Sequence, residues 1–143
     1  MFNKIIVAYD GSETAKIALN KAIEMKSVFA DSELEVVHVF QVSNLVLNDA
    51  VITGPAVVQT ELYQAANELV DEAKLLISNL DKTSATLLDG GAPARVILDY
   101  AEANHADLII VGSRGFGTFK EILLGSVSSE ILHHAKIPVL VVK

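Results

Sequence analysis

Cysteine is absent from the 143 residues, which removes disulfide frameworks and thiol catalysis and leaves the redox compartment open. Positive charge is scarce: 11 Lys and Arg stand against 18 Asp and Glu, a net charge of −7, and only two arginines occur. Binding to nucleic acid or anionic lipid rests on clustered Lys and Arg, so neither partner is expected. Long hydrophobic runs are missing too. Although 51% of the residues are hydrophobic, no uninterrupted apolar stretch approaches the roughly 20 residues that span a bilayer. Met1-Phe2-Asn3-Lys4 enters a strand-like run without an h-region or cleavage site, so a soluble, cytoplasmic protein is expected rather than a secreted one.

What is present is alternation of two periodicities. Ile5 to Tyr9, Leu34 to Phe40, Ala85 to Leu88, Leu108 to Val111 and Val139 to Val142 are short apolar runs of the kind buried on both faces of a parallel sheet. Between them lie helical patterns. Ala15, Ala18, Leu19, Ala22 and Ile23 share one helix face behind Ser12, a candidate N-cap. A second helix is expected from Thr60 to Leu80, a third after Gly91-Ala92-Pro93 as far as His105, and a last from Ser126 to Ala135. Gln41 to Val57 has no clean periodicity and carries the turn signal Thr53-Gly54-Pro55; it reads as a surface excursion with a helical turn, or as a lid. The length suits one domain, residues 1–143.

The order β-α-β-α-β-α-β-α-β predicts an α/β fold, a doubly wound parallel sheet with helices on both faces. Ligands of such sheets sit outside the carboxyl ends of the strands, where the winding reverses, and the first strand flanks that point in both common arrangements. The loop after Tyr9 is therefore an expected wall of the site. Asp10, in Asp10-Gly11-Ser12, either accepts hydrogen bonds from a bound nucleoside or serves an ordinary turn and helix cap.

The stretch from Ile110 to Ser126 joins an apolar strand to a helix start through Gly112, Gly115, Gly117 and Gly125. Strand, glycine-punctuated loop and helix N-terminus are the parts of a phosphate site, because the first helical turn has unpaired N–H groups and a partial positive charge. A bare turn would also use glycines. No Gly-Lys dipeptide exists, which excludes a Walker A loop, and Lys120 stands where a dinucleotide fingerprint needs its third glycine. The spacing found is Gly112, two residues, Gly115, nine residues, then Gly125-Ser126. It resembles the G-x2-G-x9-G-[ST] nucleotide motif of the universal stress protein family, with every fixed position filled. Asp10-Gly11-Ser12, His38-Val39, Gly91-Ala92-Pro93 and the terminal Ile137 to Val142 extend the resemblance over the whole chain.

The resemblance implies a Rossmann-like sheet in the order 3-2-1-4-5, akin to the adenine nucleotide alpha hydrolases, with Asp10 and Gly112 facing one another. It implies an ATP-binding member, with ADP or AMP as alternatives and Mg²⁺ as the accompanying ion. The family's motif carries over to Gly112, Gly115, Gly125 and Ser126 for phosphate and ribose, with Ser113, Arg114 and Val127 beside them. Its nucleoside contacts carry over to Asp10, Ala8, Tyr9 and Val39, Ala8 standing where some relatives carry proline. Arg114 and Lys120 are the loop's only cations. Dimerisation through residues 138–142 is implied as well, and an apolar edge strand invites such pairing.

Catalytic signals are thin. Gly125-Ser126-Val127-Ser128-Ser129 lacks the second glycine of a nucleophile elbow. Neither a Walker B carboxylate nor an arginine finger is evident, and none of the four histidines has zinc-motif spacing. The expected function is a nucleotide-responsive regulatory or protective factor. The alternatives are a slow ATP hydrolase or nucleotidyl-transfer enzyme on the same fold, and a nucleotide-free dimeric interaction module.

Overall fold

The computed structural model of the chain describes residues 1–41, 44–47, 50–53, 56–117 and 123–143. Its strands are β1 (Lys4–Ala8), β2 (Glu33–Gln41), β3 (Asn44–Leu47), β4 (Ala50–Thr53), β5 (Thr83–Gly90), β6 (Leu108–Gly112) and β7 (Val139–Val142). Its helices are α1 (Glu13–Val28), α2 (Ala56–Ile77), α3 (Pro93–Ala103) and α4 (Ser126–His134). Five strands form one parallel sheet in the order β5-β2-β1-β6-β7, which is the expected 3-2-1-4-5 once β3 and β4 are set aside. The winding reverses beside β1, whose Ala8 pairs with Val37 on one side and Val111 on the other.

Side chains alternate across a strand, and here both faces are covered. Ile5, Val7, Val36 and Ile110 pack against Ala18, Leu19, Ala73 and Ile77 of α1 and α2. On the other face Ile6, Ala8, Val37, Ile109 and Val111 meet Ala94, Ile97, Ala101 and Ile131 of α3 and α4. That double burial is why β1 and β6 read as unbroken apolar runs. Ile5, Ile6 and Val7 are each 0% exposed, and burying such a side chain is worth about 1.5–3 kcal/mol.

One ionised group is built into the sheet at its amino-terminal end. Glu35 is 6% exposed; its Oε1 accepts hydrogen bonds from Thr86 Oγ1 and Tyr100 Oη, both at 2.7 Å, and its Oε2 lies 3.0 Å from Lys4 Nζ. Burial works against the charge of Glu35, but the hydrogen bonds from Thr86, Tyr100 and Lys4 outweigh it and hold the carboxyl below its ordinary range. The network ties β1, β2 and β5 to α3.

The stretch from Gln41 to Val57 differs from its expected form. β3 and β4 pair antiparallel, Asn44 opposite Thr53 and Leu47 opposite Ala50, as a sheet of their own. α2 begins at Ala56 instead of Thr60. Strands of four residues are too short to display period-two alternation. Asn48, Gly54 and Pro55, and with them part of the expected turn, lie outside the described residues, as does Lys120. No described helix is long and apolar enough to cross a membrane.

Candidate functional site

A cavity of about 260 Å³ opens at the carboxyl ends of β1, β2 and β6, the place where a doubly wound sheet offers its ligand site. Of the candidate residues, Ala8, Tyr9, Asp10, Val39, Gly112, Arg114, Gly115, Gly125, Ser126 and Val127 all line it. Ser113 does not. It is 1% exposed, its N–H donates to the Val142 carbonyl at 2.7 Å, and its own carbonyl accepts from Gly125 N–H at 2.6 Å. Tyr9 contributes little beyond its backbone, because its ring is buried in the core on the α1 and α2 side and its hydroxyl donates to Glu72 Oε1 at 2.9 Å. Burial, reinforced by the Glu72 carboxylate, pushes that phenol up to about 12.

The two carboxylate oxygens of Asp10 face different ways. Oδ1 accepts the Ser12 N–H at 2.9 Å across Gly11, which sits at φ 80° where glycine is favoured. Ser12 in turn caps α1, its Oγ 3.4 Å from Ala15 N. Oδ2 points toward the glycine loop: a methyl group added to Gly115 would lie 3.1 Å from it. The residue pressed on the Asp10 carboxylate is therefore Gly115, although Gly112 borders the same cavity.

The motif glycines act through close approach, since none of Gly112, Gly115 and Gly125 has positive φ. A methyl on Gly112 would lie 2.6 Å from Thr14 Oγ1, 2.7 Å from the Thr14 carbonyl carbon and 2.8 Å from Ala15 N. Gly112 thus lets α1 dock against β6. Gly125 lies against Arg114, with its added methyl 3.3 Å from Arg114 Cα. The two ends of the loop are so brought together at the N-terminus of α4. The first intrahelical bond there runs from Ser129 N–H to the Gly125 carbonyl at 3.0 Å. The N–H groups of Ser126, Val127 and Ser128 precede it and have no carbonyl within α4 to bond, as at any helix start.

The lining also holds residues that the sequence does not single out as site residues. His38 is one: its Nδ1 lies 2.8 Å from the Tyr9 carbonyl, and since a carbonyl only accepts, Nδ1 carries the proton. Ser128 is another, 2% exposed, with its Oγ 2.9 Å from the Ser113 carbonyl and 3.1 Å from that of Gly125. Val37, Pro93 and Ile97 extend the apolar wall made by Ala8, Val39 and Val111. The cavity accordingly has an apolar side between β2 and α3, and a polar side made of Asp10, the glycine loop and the α4 N-terminus. Its lining includes one cation, Arg114, and one carboxylate, Asp10, among the described residues. No three described His, Asp or Glu side chains converge on a metal-sized site.

Comparison with known proteins agrees with this architecture. Residues 1–143 match the model of the universal stress protein family. The universal stress protein YxiE of Bacillus subtilis is 33% identical, with all of both chains aligned. A universal stress protein of Methanocaldococcus jannaschii is also 33% identical, over 100% of this chain and 96% of its own. Among solved structures, UspA of Lactobacillus plantarum superposes with a TM-score of 0.80 at 22% identity, covering 99% of this chain and 97% of that one. Two further universal stress proteins share the fold: an Arabidopsis thaliana member with AMP bound (TM-score 0.66, 22% identity, covering 99% and 91%) and one in complex with cAMP (0.72, 22%, covering 99% and 97%). With its whole length matched by the family model and by relatives a third identical, the chain belongs to the universal stress protein family.

Proposed function

We propose that the cavity binds an adenine nucleotide, ATP with Mg²⁺ foremost and ADP or AMP as alternatives. On this reading the protein is a cytoplasmic, nucleotide-responsive regulatory or protective factor of the stress response, working as a homodimer joined along residues 138–142. The observation that carries the reading is the juxtaposition of an apolar wall, a carboxylate and a helix start around one cavity. The wall of Ala8, Val39 and Val111 suits a base. Asp10 Oδ2, left over from the turn, suits ribose hydroxyls and would repel phosphate, so the phosphates belong at Gly115, Gly125 and the N–H groups of Ser126 and Val127. The net charge of −7 gives no general attraction to anions, which leaves these local dipoles and Arg114 to hold them. Mg²⁺ would arrive on the phosphates, since the described residues offer it no carboxylate cluster. AMP and cAMP in two members of the family lend support.

Binding rather than fast turnover is proposed because Asp10 is the one carboxylate lining the cavity among the described residues, and its Oδ1 already serves the turn. For the dimer, support comes from β7 forming one edge of the sheet, with Leu140 exposed. The test is to denature the purified protein, identify released nucleotide by chromatography, and titrate ATP into stripped protein. Recovered adenine nucleotide, or saturable ATP binding that raises thermal stability by about 2.7 kcal/mol at a hundredfold excess over Kd, is expected. No released nucleotide and no response to millimolar ATP would leave the loop as a turn and favour a nucleotide-free interaction module.

A further inference from the structure

We infer that Thr14 is a positioning residue for the phosphate half of this site, fixing the backbone of Arg114 from the first turn of α1; the inference rests on the nucleotide reading above. The Thr14 hydroxyl engages both polar groups of one residue. Its Oγ1 accepts the Arg114 N–H at 3.3 Å and donates its own proton to the Arg114 carbonyl. Ser12 Oγ reaches the same carbonyl at 3.4 Å, but it also caps α1. Gly112, lacking a side chain, allows Thr14 to come this close.

Arg114 is where three segments meet. α1 holds its two backbone groups, β6 delivers it through Gly112, and Gly125 lies against its Cα. The next residue, Gly115, lies against Asp10 Oδ2 and lines the cavity beside it. A hydroxyl that pins Arg114 therefore sets where Gly115 and the α4 N-terminus stand relative to each other. Thr14 itself is not among the residues lining the cavity, and it acts only through Arg114. The base-facing wall of Ala8, Val39 and Val111 is built from β1, β2 and β6 and has no bond to Thr14. The Arg114 N–H, being given to Thr14, is also withdrawn from the donors available to a phosphate.

This division predicts a split between ligands. Thr14→Val keeps the shape and removes the hydroxyl, Thr14→Ala removes both, and Thr14→Ser keeps the hydroxyl. Binding of ATP and of adenosine to nucleotide-stripped protein would be compared by calorimetry for the wild type and all three variants, each confirmed folded by circular dichroism. Thr14→Val and Thr14→Ala should weaken ATP about tenfold, the size expected for one net hydrogen bond, while adenosine affinity stays within about twofold and Thr14→Ser resembles the wild type. Equal losses for ATP and adenosine, or unchanged ATP binding in both variants lacking the hydroxyl, would overturn the inference. Absence of ATP binding in the wild type would instead overturn the nucleotide reading beneath it.

Discussion

Gly112 sits on Thr14 so closely that a methyl group on the glycine would lie 2.6 Å from the threonine hydroxyl and 2.7 Å from its carbonyl carbon. Much of that obstruction is backbone, which cannot swing aside. Gly112→Ala should therefore cost about 1–3 kcal/mol, the usual range for overpacking a tight site. Gly91→Ala, where no described atom beyond the adjoining residues lies within 4 Å of the added methyl, should shift stability by less than about 0.5 kcal/mol. Urea denaturation of the two variants checks the contrast, and equal midpoints would contradict it.

Ser128 fastens the other end of the loop. Its hydroxyl lies between the carbonyls of Ser113 and Gly125, but Ser113 also receives the Gly125 N–H. Because that acceptor keeps a partner, Ser128→Ala should cost about 1 kcal/mol rather than the larger penalty of an orphaned buried group. A thermal melt of the variant reads the difference directly.

Glu35 makes stability depend on acid. Its folded carboxyl lies below the ordinary range because Thr86, Tyr100 and Lys4 hydrogen-bond the charged form in spite of burial. The stabilisation is complete above the unfolded carboxyl's pKa and is lost as pH falls through the lower folded value. Glu35→Gln should flatten the acid limb of the stability curve and lower stability at neutral pH by roughly 1.5–3 kcal/mol, the worth of hydrogen bonds to a charged group, since Lys4 keeps Glu33 at 3.6 Å. An acid limb as steep in the variant as in the wild type would assign the effect elsewhere.

Tyr9 acts at the other end of the scale. Its phenol is pushed up to about 12 by burial and by the Glu72 carboxylate that its hydroxyl meets. A raised folded value means stability that is whole below the unfolded pKa, near 10, and lost as pH rises toward 12. Tyr9→Phe should lose the Glu72 hydrogen bond, about 1 kcal/mol at pH 7, and with it this component of the alkaline decline. Denaturant midpoints at pH 8 and pH 11 for both proteins would show it.

Legibility in the sequence followed locality. β1 and β6 were readable because both of their faces are buried, which leaves an unbroken apolar signature in Ile5-Ile6-Val7 and Ile109-Ile110-Val111. The glycine spacing was equally local, and it led to residues that do share one cavity. Thr14 and Ser128 give no sequence signal, and His38 reads as a strand histidine, for the opposite reason. Each acts on a backbone group distant in sequence, 100 residues away for Thr14 and 29 for His38, and a hydroxyl near a helix start looks like any cap. Ser113 reads as a site residue because it adjoins Gly112, yet its own backbone bonds turn it into the core. β3 and β4 carry no readable pattern because Leu45-Val46-Leu47 and Val51-Ile52 are too brief to establish a period, and the start of α2 is masked in the sequence by the β-branched Val57 and Val58.

Gly115 and Gly125 border the space proposed for the nucleotide phosphates. Calorimetric titration of ATP into stripped wild type, Gly115→Val and Gly125→Val tests this assignment most directly, because a valine at either position meets Asp10 or Arg114 within 3.1–3.3 Å. Saturable binding is expected for the wild type and none for either variant, with the fold of all three retained. Unchanged affinity in both variants would contradict the assignment of the site.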